Sequence, residues 1–413
     1  MDDYVGVYVL MEKIKRDPGR VPIAKLDETM IAEPEVSGGY IFKKDKGTHN
    51  DVHFNTRDGH QFGFVEPDEP HEAQMSYLSG YLDSFERALY GPGFASEANG
   101  YAKYIDVPSF IDVHIHVEIC RNIDGFRLST YYHKDREGKV VMGPVWDYNL
   151  SLGNATMRGG EYPDGWYHDT INRRDYTYFD RLFQDPRFEL QHWDRYYQLR
   201  QSVFATDKLM EQIDSIAKML SEAQERNFKL WPILGQPEWQ NPEGAWDRKT
   251  HADEVAWLKN WLFERLDWMD QQFMPPPMID YGGEALASGV GVTLTMSNQR
   301  SDGEIIYYTL DGSDPRDPNG VPAAASVVLS PGSDAIVTQS GTLKARVFKT
   351  SAVITSASDG RQWGALGESA VVIDPNLAPI VASRSLGLSR RALFLLTLLA
   401  AFLIAFVVKS RDQ

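Results

Sequence analysis

One cysteine, Cys120, stands in the whole chain, so no disulfide forms within it and a cysteine-built zinc site lacks its ligands. Long basic runs are missing too. The 42 Lys and Arg are scattered among 58 Asp and Glu, for a formal net charge of −16, which argues against a surface that tracks a phosphate backbone and so against nucleic acid as partner. The opening "MDDYVGVYVLMEKIKRD" has neither the basic start nor the small-residue cleavage site of a secretory leader. No repeat of fixed period recurs. What is present is apolar residue, 42% of 413 positions, enough to bury a large core shared among two or three domains.

The pattern along the chain predicts an α+β domain first. Extended runs "VGVYVLM", "GGYIFKK" and "GKVVMGPVW" alternate with a longer helical stretch. The first of these, Tyr4 to Met11, reads as an interior strand that begins abruptly, as though the front of a domain preceded it. From Tyr178 to about Phe273 the spacing turns helical, in "KLMEQIDSIAKMLSEAQERNF" and "ADEVAWLKNWLFERLDWMDQQF". "MPPPM", Met274 to Met278, reads as a stiff linker closing this domain, 1–275. Beyond it "GVGVTLTMS", "GEIIYYTLDGSDP" and "GTLKARVFKT" alternate with period two between turn residues, which predicts a small β-sandwich over 276–375. A linker at 376–391 leads to an uncharged run, Ala392 to Val408, of the length that crosses a bilayer as one helix, with a short basic tail at 409–413. Basic residues flank that run on both sides, so charge does not set its orientation.

The chemistry-bearing residues concentrate between Asp106 and Asn154. Asp106, Pro108 and Ser109 spell a helix start. The following letters also alternate, so that Asp112, His114, His116 and Glu118 would share one face of a strand and the two histidines could ligate zinc. The long breaker-free run favours a helix, on which residues two apart diverge by roughly 200° and share no ion. The helix is expected to end near Asn122, with "NIDG" as a turn presenting Asp124. Two strands joined at "DREG" then deliver Asp147. A carboxylate at a helix end beside a second at a hairpin end suits phosphoryl transfer, one aspartate orienting a hydroxyl and the other holding Mg²⁺. The same residues also suit plain turns.

"NIDGFRLSTYYHKDREGKVVMGPVWDYNLSLGN", together with "VGVYVLMEKIKRD", "GGYIFKKD" and "FDRLFQDPRFELQHWDRYYQLR", resembles the CotH kinase family, distantly similar to protein kinases, from about Tyr4 to Phe273. The resemblance implies an atypical kinase-like domain with a helical C-lobe, lacking the front of its nucleotide-binding lobe. It implies Mg²⁺-dependent transfer of phosphate from ATP to serine hydroxyls of a protein. By position Asp124 matches the catalytic aspartate and Asp147 the metal-binding aspartate. Asn149 stands where many members carry a second aspartate, and Ser129 where some carry a metal-binding asparagine. Glu12 matches a glutamate that would pair with an upstream lysine, and Lys43 or Lys44 could reach a phosphate; Lys43 is assigned to that role. "IIYYTLDGSDPR" through "GTLKARVF" resembles the chitobiase/β-hexosaminidase C-terminal module, an immunoglobulin-like domain, which implies contact with glycan or protein and a body outside the cytoplasm. Two readings follow: a membrane-anchored serine kinase of a surface or envelope protein, or a catalytically inactive binding protein of the same build.

Overall fold

The computed structural model describes residues 5–47, 51–236, 238–295, 303–330, 333–349 and 362–377. Its centre is a five-stranded antiparallel sheet, built from β1 (Tyr40–Lys44), β2 (His53–Asn55), β3 (Gln61–Glu66), β4 (Thr130–Lys134) and β5 (Val140–Val145) in the order β2-β3-β1-β4-β5. Tyr40, Ile41 and Phe42 of β1 are all fully buried, because this central strand is covered on both faces, the setting in which a strand reads as an unbroken apolar run.

On one face Tyr40, Phe42, Phe54, Phe62, Phe64 and Tyr132 pack against α1 (Glu72–Tyr90) and α2 (Val107–Cys120) through Leu78, Leu82, Phe85, Phe110 and Ile115. On the other face Ile41 meets Ile14, Val21 and Ile23. Helix α2 starts as its sequence predicts. Asp106 accepts from Ser109 N–H at 2.9 Å, and Pro108 sits in the first turn, where a missing N–H costs nothing.

The helical region contains α3 (Phe179–Leu182), α4 (Pro186–Arg200), α5 (Thr206–Met219), α6 (Ser221–Leu230) and α7 (His251–Asp270). The run from Lys208 to Phe228 forms two helices, α5 and α6, separated at Leu220. One expectation differs here. Residues 5–11 form no strand: Val9 and Leu10 are open to solvent, and Val7 N–H is taken by Asn227 Oδ1 at 2.9 Å instead of a neighbouring strand. A β-rich segment without a ladder partner stays extended and unpaired.

Beyond residue 275 two antiparallel sheets share one apolar cluster. β6 (Met278–Asp280), β7 (Val290–Thr295) and β10 (Ala335–Val337) make one, and β8 (Glu304–Thr309), β9 (Val327–Leu329), β11 (Gly341–Lys349) and β12 (Gly367–Val371) make the other. The whole is α+β, as the sequence pattern predicts. Among the described residues no helix is long and apolar enough to cross a membrane; the run 392–408 lies outside the described residues.

Candidate active site

The site is assembled where α2 ends. Arg121 takes a left-handed conformation (φ 45°) and turns the chain out of the helix, one residue earlier than the sequence reading has it. Asn122 follows, wholly buried. Its Oδ1 accepts the backbone N–H of Asp124 at 3.1 Å, and its Nδ2 donates to the backbone carbonyl of Asp147 at 3.2 Å. One side-chain amide thus uses both ends to tie together the two loops that carry the aspartates. Backbone bonds add to the lacing: Ile123 N–H donates to Leu150 O at 3.3 Å, and Leu152 N–H to Cys120 O at 2.7 Å.

Glycine is required at 125. A Cβ there would stand 2.5 Å from Val117 Cγ1, so the loop could not lie against α2 with any larger residue. Within the same loop and its neighbour, Phe126 (φ 67°), Ser129 (φ 50°) and Asp147 (φ 63°) all occupy left-handed backbone, a concentration of unfavourable conformation that packing must hold in place. The Asp124 carboxylate is paired with Arg127 Nη2 at 2.7 Å, both side chains about one-fifth exposed. Arg127 Nε also donates to Ile123 O at 3.3 Å, which fixes the guanidinium and therefore the acid.

Asp147 lies at the same end of the sheet. Cross-strand register aligns Lys44 of β1 with Thr130 of β4, and Thr130 with Val145 of β5, so Asp147 follows two residues past that row and Ser129 precedes it by one. Ser129 Oγ donates to Asp147 Oδ2 at 3.3 Å. A solvent-facing carboxylate with a hydroxyl beside it is an oxygen donor set that suits Mg²⁺, which keeps several waters and takes few protein ligands. Tyr131 faces this acid: burial first, then the charges of Asp45, Asp51 and Asp147, push its phenol up to about 12.

Residues 1–269 match the family model described as CotH kinase protein. The chain belongs to the CotH kinase family. No curated protein matches the chain. Membership carries nucleotide and metal use in general terms.

Within the CotH domain the residues singled out by sequence fall into two groups. Asn122, which the sequence marks only as the end of a helix, ties the backbone of Asp124 to that of Asp147, and Ser129 bonds the Asp147 carboxylate. Asn149 is exposed in the turn after Asp147, and its backbone carbonyl accepts from Asn154 Nδ2 at 3.0 Å; it is Ser129 that the structure sets against the Asp147 carboxylate. Glu12 pairs with Arg20 at 2.8 Å and is 68% exposed. Lys43 pairs with Asp51 at 3.3 Å.

His114 and His116 diverge on α2, as helical spacing requires. His114 instead shares a face with Glu118, and His168 joins them, three ligand-type atoms within 4.8 Å. Each is already engaged. His114 contacts His192 Nε2 at 3.0 Å and the Tyr176 hydroxyl at 2.6 Å. Glu118 accepts from Tyr167 N–H, His168 N–H, His168 Nδ1 and Arg265. Arg265 of α7 also donates to the Glu118 backbone carbonyl through Nε at 2.9 Å and Nη2 at 2.7 Å, beside the Arg121 N–H that the same carbonyl accepts at 3.1 Å. Burial opposes the Glu118 charge, while His168, Arg265 and the Tyr167 N–H outweigh it and hold the acid below its usual range. This cluster is the rivet that fixes the helix end from which Asn122 and Asp124 emerge.

Proposed function

We propose that the chain transfers the terminal phosphate of ATP, with Mg²⁺, to serine hydroxyls of a surface or envelope protein. The observation that carries the reading is the Asn122 clamp, which sets Asp124 and Asp147 at one end of one sheet from two separate loops. Asp124, oriented by Arg127, accepts a hydrogen bond from the acceptor hydroxyl and takes its proton as the new oxygen–phosphorus bond forms and the bond from that phosphorus to the bridging oxygen breaks, releasing ADP. Asp147 and Ser129 are the residues that would hold Mg²⁺, with Asn149 at the open side. Bound there, the ion offsets negative charge on the phosphate oxygens. The buried rivet at Glu118 and Arg265 keeps the two acids from drifting apart, and positioning of this kind supplies most of what phosphoryl transfer asks of a protein.

The proposal extends to the rest of the chain. The run 392–408 anchors it in a membrane with the bulk outside the cytoplasm and the short tail inside, and the β-sandwich, by its likeness to the chitobiase/β-hexosaminidase C-terminal module, contacts glycan or protein. The test is Mg²⁺-dependent incorporation of phosphate from ATP into a serine-rich protein by the full chain, compared with its Asp147→Ala variant.

A further inference from the structure

Residues 5–15 form a strip that is fixed at both ends. At the front, Trp231 Nε1 donates to the Val5 carbonyl at 3.3 Å, and Asn227 Oδ1 takes the Val7 N–H. At the back, Ile14 is buried with Val21, Ile23 and Ile41, and the Lys15 carbonyl accepts from Val21 N–H at 3.4 Å. Between these fixings the chain is bare: Tyr8 is 74% exposed, Val9 81% and Leu10 100%, with Met11 exposed beside them. Among the described residues no hydrogen bond engages the backbone of residues 8–14.

Two features of the strip point to one kind of occupant. Contiguous large apolar side chains open to water mark an interaction surface. The backbone beside them is unpaired, which is the state of a sheet edge. A lipid surface would cover the side chains and leave those N–H and C=O groups unmatched in an apolar medium. Another extended chain satisfies both, by strand addition.

The strip itself has the chemistry required. Set antiparallel about a two-fold axis near Val9 and Leu10, two copies oppose Tyr8–Met11 to Tyr8–Met11, apolar against apolar. The basic residues that follow, Lys13, Lys15 and Arg16, are then carried to opposite ends, whereas a parallel pair would set like charges side by side. With Val5, Val7 and Trp231, which are also exposed, the strip offers roughly the 800 Å² a side that a stable pair of chains buries. We propose that the chain pairs with a second copy of itself through this strip, residues 8–11 forming a two-stranded antiparallel ribbon across a two-fold axis. The pairing stands apart from the phosphotransferase reading, because it uses no residue of the loops that carry Asp124 and Asp147.

Disulfide trapping tests it in the full chain, solubilised in mild detergent, with Cys120→Ser removing the native thiol. Val9→Cys, Leu10→Cys, Lys13→Cys and Lys15→Cys are made singly and oxidised gently. A disulfide needs Cα atoms within about 7 Å, so Val9→Cys or Leu10→Cys is expected to give linked two-chain product about tenfold faster than Lys13→Cys and Lys15→Cys. Tyr8→Lys added to the faster of the two is expected to slow it several-fold, by setting lysines into the seam. Position 8 is open to solvent, so that substitution leaves the fold of each chain as it is. Equal trapping at all four positions, trapping unaffected by Tyr8→Lys, or none at positions 9 and 10 each overturns the proposal. A fluorophore on Leu10→Cys that phosphatidylserine vesicles shield, in a chain that gives no trapping at positions 9 and 10, assigns the strip to lipid instead.

Discussion

Asn122 does more at this site than its place in the sequence announces. Truncation to Ala leaves the Asp124 N–H and the Asp147 carbonyl without their buried partner, at a cost of about 1–3 kcal/mol in stability, and frees both loops to shift. Asn122→Ala is therefore expected to cut the transfer rate by about a hundredfold, the usual consequence of misplacing reacting groups by an ångström, while KM for the acceptor changes little; steady-state kinetics on an acceptor peptide checks the split. A fall confined to KM would count against the clamp. Asp124 and Asp147 were legible as an acid in an Asp-Gly turn and an acid closing a hairpin strand. Asn122 was not, because its value lies in joining two loops that only the fold brings together. The same holds for Lys43 and Lys44: in β1 the apolar letters Tyr40-Ile41-Phe42 are buried on both faces, so nothing in the five residues says which lysine turns towards the helices.

Helix α2 shows how an element carries the site. Its length without a breaker decided it against a strand, and its Asp106 start was readable letter by letter. Its end near Asn122 was readable too, but what holds that end was not: Arg265 from α7 and residues 163–168 grip it from over a hundred positions away and some forty away respectively. The histidines packed around these elements give the domain a pH limit. Burial drives His192 down to about 3 and His60 to about 4. Both are neutral when folded and free to take a proton when unfolded. The unfolded chain then binds more protons below its ordinary histidine value, so stability is intact above about pH 6.5 and falls as pH drops from there towards 3 to 4. Each histidine contributes about 1.4 kcal/mol per pH unit in that window. Denaturant titrations at pH 7 and pH 5 are expected to show the loss, and His192→Gln is expected to flatten the slope.

At the scale of the molecule, the β-sandwich is joined to the CotH domain by charge as well as by packing. Arg346 of β11, almost wholly buried, donates to both oxygens of Asp194 on α4 and both oxygens of Asp314, every contact at 2.7 Å. Leu366 N–H donates to Asp194 Oδ1 at 2.8 Å, and Trp363 and Ala365 belong to the central core cluster. Asp314 lies in the turn-rich letters "LDGSDP", and nothing local marks Arg346, 32 positions on, as its partner or Asp194 as the acid that shares it. Removing the cation leaves two partly buried carboxylates facing each other, a change of the kind that costs about 3–5 kcal/mol. Calorimetry is expected to show one unfolding transition in the wild-type chain and two in Arg346→Met; a single transition in both would contradict the coupling. Next to this joint a groove of about 810 Å³ opens at the first turn of α2, lined by Val107, Pro108, Arg187, Arg195 and Glu368. It lies roughly 20 Å, one length of that fourteen-residue helix, from the end that leads to the aspartates, so the two sites are separate. The central claim concerns those aspartates, and phosphoserine formed from ATP on a serine-rich acceptor measures it directly. The account predicts Mg²⁺-dependent phosphoserine with the wild-type chain and its loss in Asp147→Ala; equal phosphoserine from both chains, or none from the wild type with Mg²⁺ present, would contradict it.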